Sequence, residues 1–253
     1  RLDNISLAIR NTSTELPICT RTVAINSVEQ QDIQSMHRIR SLLMRDRIAQ
    51  INQIRGLLAE YGIVIAQTPL KIQQQLPAIL DDQANELTGL TRSMVHDMYD
   101  RLALLDTQIA RYDELIRQAH KASASSQRLE KIRGVGPMIA TAAIAAAGSA
   151  TELANGRQFA AWIGLTPRQH SSGGRQRLFG ITKRGNGYLR MLLVHGARSV
   201  VQQAGKRSDP LSRWILEVQA RRGTNVAVVA LANKVARTIW VLLAQGREYE
   251  PPV

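Results

Sequence analysis

Leu87, Leu90, Met94, Met98, Leu102, Leu105, Ile109, Tyr112 and Ile116 recur at strict three–four alternation over about four heptads. With 3.6 residues per helical turn, this spacing gathers the apolar side chains into one stripe, which must be covered by another helix. A second such pattern lies upstream: Ile33, Met36, Ile39, Leu43, Ile54, Leu58 and Tyr61 repeat at helical spacing as far as Gly62. Ser27 followed by Gln30 has the form of a capping box, so this helix is expected to begin there. At 1.5 Å per residue it would be roughly 50 Å long. That exceeds what a compact single core needs and points to a strut or an oligomer interface. Two arrangements satisfy both stripes: a coiled coil between protomers, and a hairpin of the two helices within one chain.

Between them, Ala66 to Pro77 contains two prolines and reads as a connection into a shorter helix. Upstream of Ser27 the periodicity is weak, with a short β-prone run from Thr20 to Ile25. The small, polar stretch from Ala122 to Ser126 reads as a domain boundary. Beyond it, Leu129 to Gly136 and the Ala-rich run Met138 to Ala147 give helix, tight turn and helix. Gly134-Val-Gly-Pro137 then has two readings. In one it is a helix-hairpin-helix whose turn amides face a phosphate, with Gly134 and Gly136 allowing close approach; in the other it is a plain turn between packed helices. Further helices are expected over about 186–203, 210–219 and 225–243. Trp162, Trp214 and Trp240 are expected to anchor the helical core rather than stack on bases.

Composition excludes several classes. In 253 residues, 44% are hydrophobic and 21% charged, enough for a sizeable core and unlike a disordered chain. No run of about eighteen uncharged apolar residues is present, and the first residues lack a signal-peptide core. The single Cys19 excludes an internal disulfide framework and a multi-cysteine zinc site. His37, His96, His120, His170 and His195 lack ligand spacing. A cytoplasmic, nucleoid-associated protein without membrane contact is the expectation.

The charge is informative. A net charge of +13 and a pI near 10.8 are the footprint of a polyanion binder. From Arg128 to Arg247 there are nineteen basic residues against four acids (Glu130, Glu152, Asp209 and Glu217), so the excess lies in the carboxy-terminal half. Arg168, Arg175, Arg177, Lys183 and Arg184 fall in one stretch without an acid, and such a cluster repels itself unless it meets an anion.

Within that stretch lies Ser171-Ser172-Gly173-Gly174. Serine attack on phosphorus needs an approachable hydroxyl, cations beside the phosphate oxygens and free backbone amides. The segment has these groups; it equally suits a phosphate-contacting loop without chemistry. His170 beside it is either a base, a phosphate contact or neither. A complete acidic metal site is not visible: Asp32, Asp81, Asp82 and Asp113 read as solvated helix faces.

Taken together, Gly134-Val-Gly-Pro, Arg157-Gln-Phe-Ala-Ala-Trp-Ile-Gly-Leu-Thr-Pro-Arg-Gln-His-Ser-Ser-Gly-Gly174, Ile181-Thr-Lys-Arg-Gly-Asn-Gly-Tyr-Leu-Arg190 and Val228-Val-Ala-Leu-Ala-Asn-Lys-Val-Ala-Arg237 resemble the bacterial insertion-sequence transposases of the family numbered one hundred and ten. The match is to its eleven-eleven subgroup, related to the pilin-gene invertases, and runs from about Ser27 to Pro251. The resemblance implies an amino-terminal RNase H-like (RuvC-like) domain with a DEDD acidic set for Mg²⁺, a coiled coil, and a carboxy-terminal domain with a catalytic serine. It implies action on DNA as a homo-oligomer, directed by a non-coding guide RNA, through a phosphoserine linkage. Carried onto this chain, the serine is Ser172, with Ser171 the alternate. Asp3 stands near the fourth acid of the metal set, although Asn4 follows it where the family has Ala. The other three acids are expected upstream of residue 1, so the chain reads as a truncated frame or a fragment.

The expected fold is mainly α: an RNase H-like remnant (1–27), long antiparallel or coiled-coil helices (28–121), a linker (122–127), a helical serine domain with a helix-hairpin-helix-like start (128–247) and a tail (248–253). The expected function is a DNA transposase or recombinase; the alternative is an inactive remnant that only binds DNA or guide RNA. Arg168, Arg175, Arg177, Lys183, Arg184, Arg190, Gly134 and Gly136 are the expected nucleic-acid contacts.

Overall fold

The structure is a computed structural model and describes residues 26–66, 68–170 and 177–250. Among these the fold is mainly α, with one two-stranded antiparallel sheet. Helix α1 (Val28–Glu60) starts as its sequence dictates: Ser27 Oγ accepts from the Gln30 amide at 3.2 Å, and Gln30 Oε1 accepts from the Ser27 amide at 2.9 Å. Helix α2 (Pro69–Asp81) places Pro69 in its first turn, where a missing N–H costs nothing. It then runs through Pro77, further than the connection expected there. Helix α3 (Gly89–Ala122) is capped by the Thr88 hydroxyl, which accepts from the Thr91 amide.

Helices α1 and α3 pair within the chain. Arg40 meets Asp113, Arg47 meets Asp106, the Gln50 side chain donates to the Met98 carbonyl, and Tyr61 Oη lies 2.8 Å from Thr91 Oγ1. Residue numbers rise along one helix as they fall along the other, so the hairpin is antiparallel. Its seam differs from the apolar stripe in two ways. Toward the start of α3, Thr91 and Val95 are buried, while Leu90 and Met94 are 72% and 42% exposed. A straight α-helix drifts about 20° per heptad against a 3.5-residue repeat, so a stripe that faces α1 at Ile116 has rotated away by Leu90. On α1, Ile39 is likewise exposed, and Arg40 and Arg47 occupy the seam instead. Asp113 is therefore an ion-pair partner inside the hairpin, not a solvated acid. At the hairpin's end α2 closes a cluster in which Ile54, Leu58, Ile72, Leu76 and Val95 are fully buried.

The chain turns sharply at Ser123, which ends α3 and caps α4 (Ala124–Glu130) by accepting from the Ser126 amide. Ser126 is buried, with its hydroxyl 2.8 Å from His120 Nδ1. Helices α5 (Pro137–Ala147), α6 (Gly156–Ile163), α7 (Gly187–Gln203), α8 (Pro210–Arg222) and α9 (Thr224–Ala244) then build a second cluster. Helix α9 is its hub and packs on α6, α7 and α8. By length and mean hydropathy α9 could cross a bilayer; it carries Lys234 and Arg237, and Ala227, Val228, Leu231, Ala232, Val235, Ala236, Ile239 and Leu242 are buried in the core. Trp240 anchors this core, its Nε1 donating to the carbonyls of Ala150 and Leu153. Trp162 differs from expectation: it stacks on Phe159 yet is 36% exposed.

The first half of α1 lies on the second cluster. Gln34 donates to the Ala145 carbonyl at 2.6 Å, and buried His37 bridges Tyr188 Oη (2.9 Å from Nδ1) and Thr141 Oγ1 (3.0 Å from Nε2). The Thr141 hydroxyl donates to the Pro137 carbonyl, so His37 Nε2 donates to Thr141 Oγ1. Burial, with Arg40 nearby, lowers the His37 pKa to about 4.

Candidate nucleic-acid interface

Two backbone close approaches build the region that carries the expected contacts. The first is the turn between α4 and α5. Gly134 has φ +87°, and a Cβ there would stand 2.9 Å from the Gly196 carbonyl oxygen and 2.7 Å from Val200 Cγ2. Packing against α7 therefore explains Gly134. Gly136 has no such neighbour: it is the extended N-cap of α5, and a Cβ would meet nothing within 4 Å. Arg133, just before the turn, donates to Asp209 (2.9 Å) and Ser212 (3.0 Å), tying the turn to the start of α8. Hydrogen bonds from the Ser212 hydroxyl and amide, with Arg133, lower the Asp209 pKa to about 2.

The second approach is between the end of α6 and the loop before α7. Gly164 has φ +81° and would drive a Cβ to 2.0 Å from the Arg184 carbonyl oxygen; Gly185, at φ +83°, would meet the Trp162 oxygen at 1.8 Å. Only glycine on both sides allows this interlock. Arg190 locks it from α7: Nη1 donates to the carbonyls of Ile163 (2.8 Å) and Arg184 (3.1 Å). From this base rise β1 (Pro167–Gln169) and β2 (Leu178–Ile181), paired antiparallel, with the His170 amide donating to the Arg177 carbonyl at 3.0 Å. The motifs around Gly164 and Gly185 are thus two halves of one structural knot.

Arg168, Arg177, Lys183 and Arg184 are exposed on or beside this hairpin, and none has an ion-pair partner among the described residues. By contrast, Lys131 pairs with Glu248 and Arg133 with Asp209. Lys183 also has φ +57°, a left-handed conformation that L side chains rarely adopt. Arg190 belongs beneath the group, bonded to carbonyls. Ser171, Ser172 and Arg175 lie outside the described residues, as do Asp3 and the β-prone run. Among the described residues no three His, Cys, Asp or Glu side chains gather as a metal site. Those residues alone do not fit a Mg²⁺ centre.

The structure brings forward residues that sequence reasoning did not assign to the site: Phe179 on β2 and, across from the hairpin, Arg237 on α9 and Trp214 on α8, which also packs on the core as expected. Phe179 is 53% exposed, and Lys234 Nζ stands 4.9 Å from the centre of the Trp214 ring. The sequence signal was slight, an exposed aromatic in a short strand and two cations in an otherwise apolar helix.

Residues 126–212, from α4 into the start of α8, match the family model of the IS116/IS110/IS902 transposases. A probable family 20 transposase of Pseudomonas aeruginosa is 44% identical over 232 residues, which is 91% of this chain and 69% of that protein. The chain belongs to this transposase family. The transposase for insertion sequence element IS1111A of Coxiella burnetii is 42% identical over 90% of the chain and 63% of its own length. The transposase for element IS1328 of Yersinia enterocolitica is 32% identical over 86% and 64%. The chain therefore spans about two-thirds of the length of these relatives. The family match takes in both the Gly134 turn and the Gly164–Gly185 knot, so the features built here from close packing belong to the transposase region proper.

Proposed function

We propose that this chain is the DNA-joining portion of an insertion-sequence transposase, with Ser172 as nucleophile and Ser171 as the alternate. The observation that carries the reading is the set of four exposed cations, Arg168, Arg177, Lys183 and Arg184, without an ion-pair partner among the described residues, on the strands and loops that bracket residues 171–176 in sequence. Cations left without acids are matched by phosphates, and hydroxyl attack on a phosphodiester needs that neutralisation at the reacting phosphorus. In the step proposed, the serine Oγ–P bond forms and the bond from phosphorus to one sugar oxygen breaks. The serine proton passes to a base, for which His170 is the candidate, and the departing sugar oxygen takes up a proton.

The finer parts of the reading are a guide RNA, a homo-oligomeric assembly, and Mg²⁺ held by an acidic set that includes Asp3. The division into a helical hairpin (28–121) and a serine domain (128–247) belongs to it as well. The test is strand exchange by the full-length protein of this family type. Ser172→Ala should abolish exchange and the covalent protein–DNA adduct while DNA binding persists. Exchange at wild-type rates in both Ser172→Ala and Ser171→Ala would leave this segment as a phosphate contact only. Binding without exchange or adduct by the unaltered protein would favour a binding-only remnant.

A further inference from the structure

A groove of about 830 Å³ runs between the β1–β2 hairpin and the facing sides of α8 and α9. Its wall is apolar and partly aromatic: Phe179 on β2, Trp214 on α8, and Val226 and Val229 on α9. Phe179 and Val226 are 53% and 49% exposed, an unusual amount of open apolar surface for two facing elements. Its rim is cationic. Arg168, Lys183 and Arg237 line it, and among the described residues no acidic side chain does. Thr182 also lines the groove.

These features select a ligand that is flat and apolar in one part and anionic in another. An unpaired nucleotide has both. A closed duplex does not, because its bases are stacked inside and it offers a groove of this kind only sugar and phosphate. We propose that this groove binds an unpaired stretch of DNA strand, with a base laid against Phe179 and Trp214 and the flanking phosphates on Arg168, Lys183 and Arg237. The inference rests on the DNA-joining reading and deepens it. Both strands that bracket Ser172 in sequence line the groove.

The test uses the full chain and three labelled probes: a duplex, the same duplex with a central run of mismatches, and one of its strands alone. Binding is followed by fluorescence anisotropy. Phe179→Ala should weaken binding of the mismatched and single-stranded probes about tenfold, the effect of losing one stacked base, and leave the perfect duplex within about twofold. Phe179→Tyr should retain the wild-type preference. Quenching of tryptophan fluorescence by the single strand should shrink in Trp214→Phe. Phe179 is half exposed, so its replacement leaves the fold intact, which circular dichroism checks. Equal affinity of Phe179→Ala and wild type for every probe, or an equal loss on all three, would overturn the proposal while the DNA-joining reading stands. Failure of the unaltered chain to bind any probe would instead remove that reading, and this inference with it.

Discussion

The Gly164 backbone and the Arg184 carbonyl oxygen approach so closely that a Cβ on Gly164 would lie 2.0 Å from that oxygen. The obstacle is backbone, which moves only if the whole β1–β2 base opens. Gly164→Ala is therefore expected to destabilise the protein by about 2–4 kcal/mol, combining the left-handed φ with the clash. Denaturant midpoints would report it, and DNA affinity should fall with them as the cations around the hairpin lose their common frame. A midpoint within experimental error of wild type would show that the knot opens freely.

The α1–α3 seam separates residues that the sequence pattern alone treats alike. Leu102 is 1% exposed and Leu90 is 72% exposed, though both belong to the same three–four stripe. Leu102→Asp buries an unpaired carboxylate and should cost about 3–5 kcal/mol, whereas Leu90→Asp should stay within about 0.5 kcal/mol. Thermal unfolding of the two variants side by side gives the comparison; equal losses would contradict the antiparallel register.

His37 makes stability depend on pH in a defined window. Its folded pKa of about 4 lies below the ordinary 6.5, so the unfolded chain binds the proton more readily. The stabilising contribution is full above about pH 6.5 and is lost as pH falls from there toward 4. The loss should reach about 3 kcal/mol. Urea titrations across this range should show the decline in wild type and a flatter profile in His37→Gln, where nothing at this position titrates.

Lys183 holds a left-handed φ of +57° while presenting its ammonium to solvent. Lys183→Gly should therefore raise stability by about 1 kcal/mol, and Lys183→Ala should not, since alanine keeps the backbone cost. Both remove one of the cations proposed to meet phosphate. The slope of log K against log salt on duplex DNA should then flatten by about 0.9 in each variant. An unchanged slope would take Lys183 out of the interface.

The local features of this protein were legible in its sequence because they depend on residues within a turn of one another. Ser27 and Gln30 set the start of α1, and Asn186 caps α7 by accepting from the Leu189 amide. The helical lengths, the mainly α fold and the basic carboxy-terminal half follow from periodicity and charge count in the same way. The motifs that carry the family resemblance were equally plain in sequence. Their physical reason was not, since it lies in contacts between residues far apart along the chain. Gly164 and Gly185 require glycine only because α6 and the loop before α7 cross there. Which face of α3 is buried follows from accumulated helical drift against α1, and His37 is neutral only because α5 and α7 close over it. The groove between Phe179 and Trp214 exists because tertiary packing sets a strand against two helices. Sequence determined the elements and their charge; packing decided their phase, their partners and the surface they present.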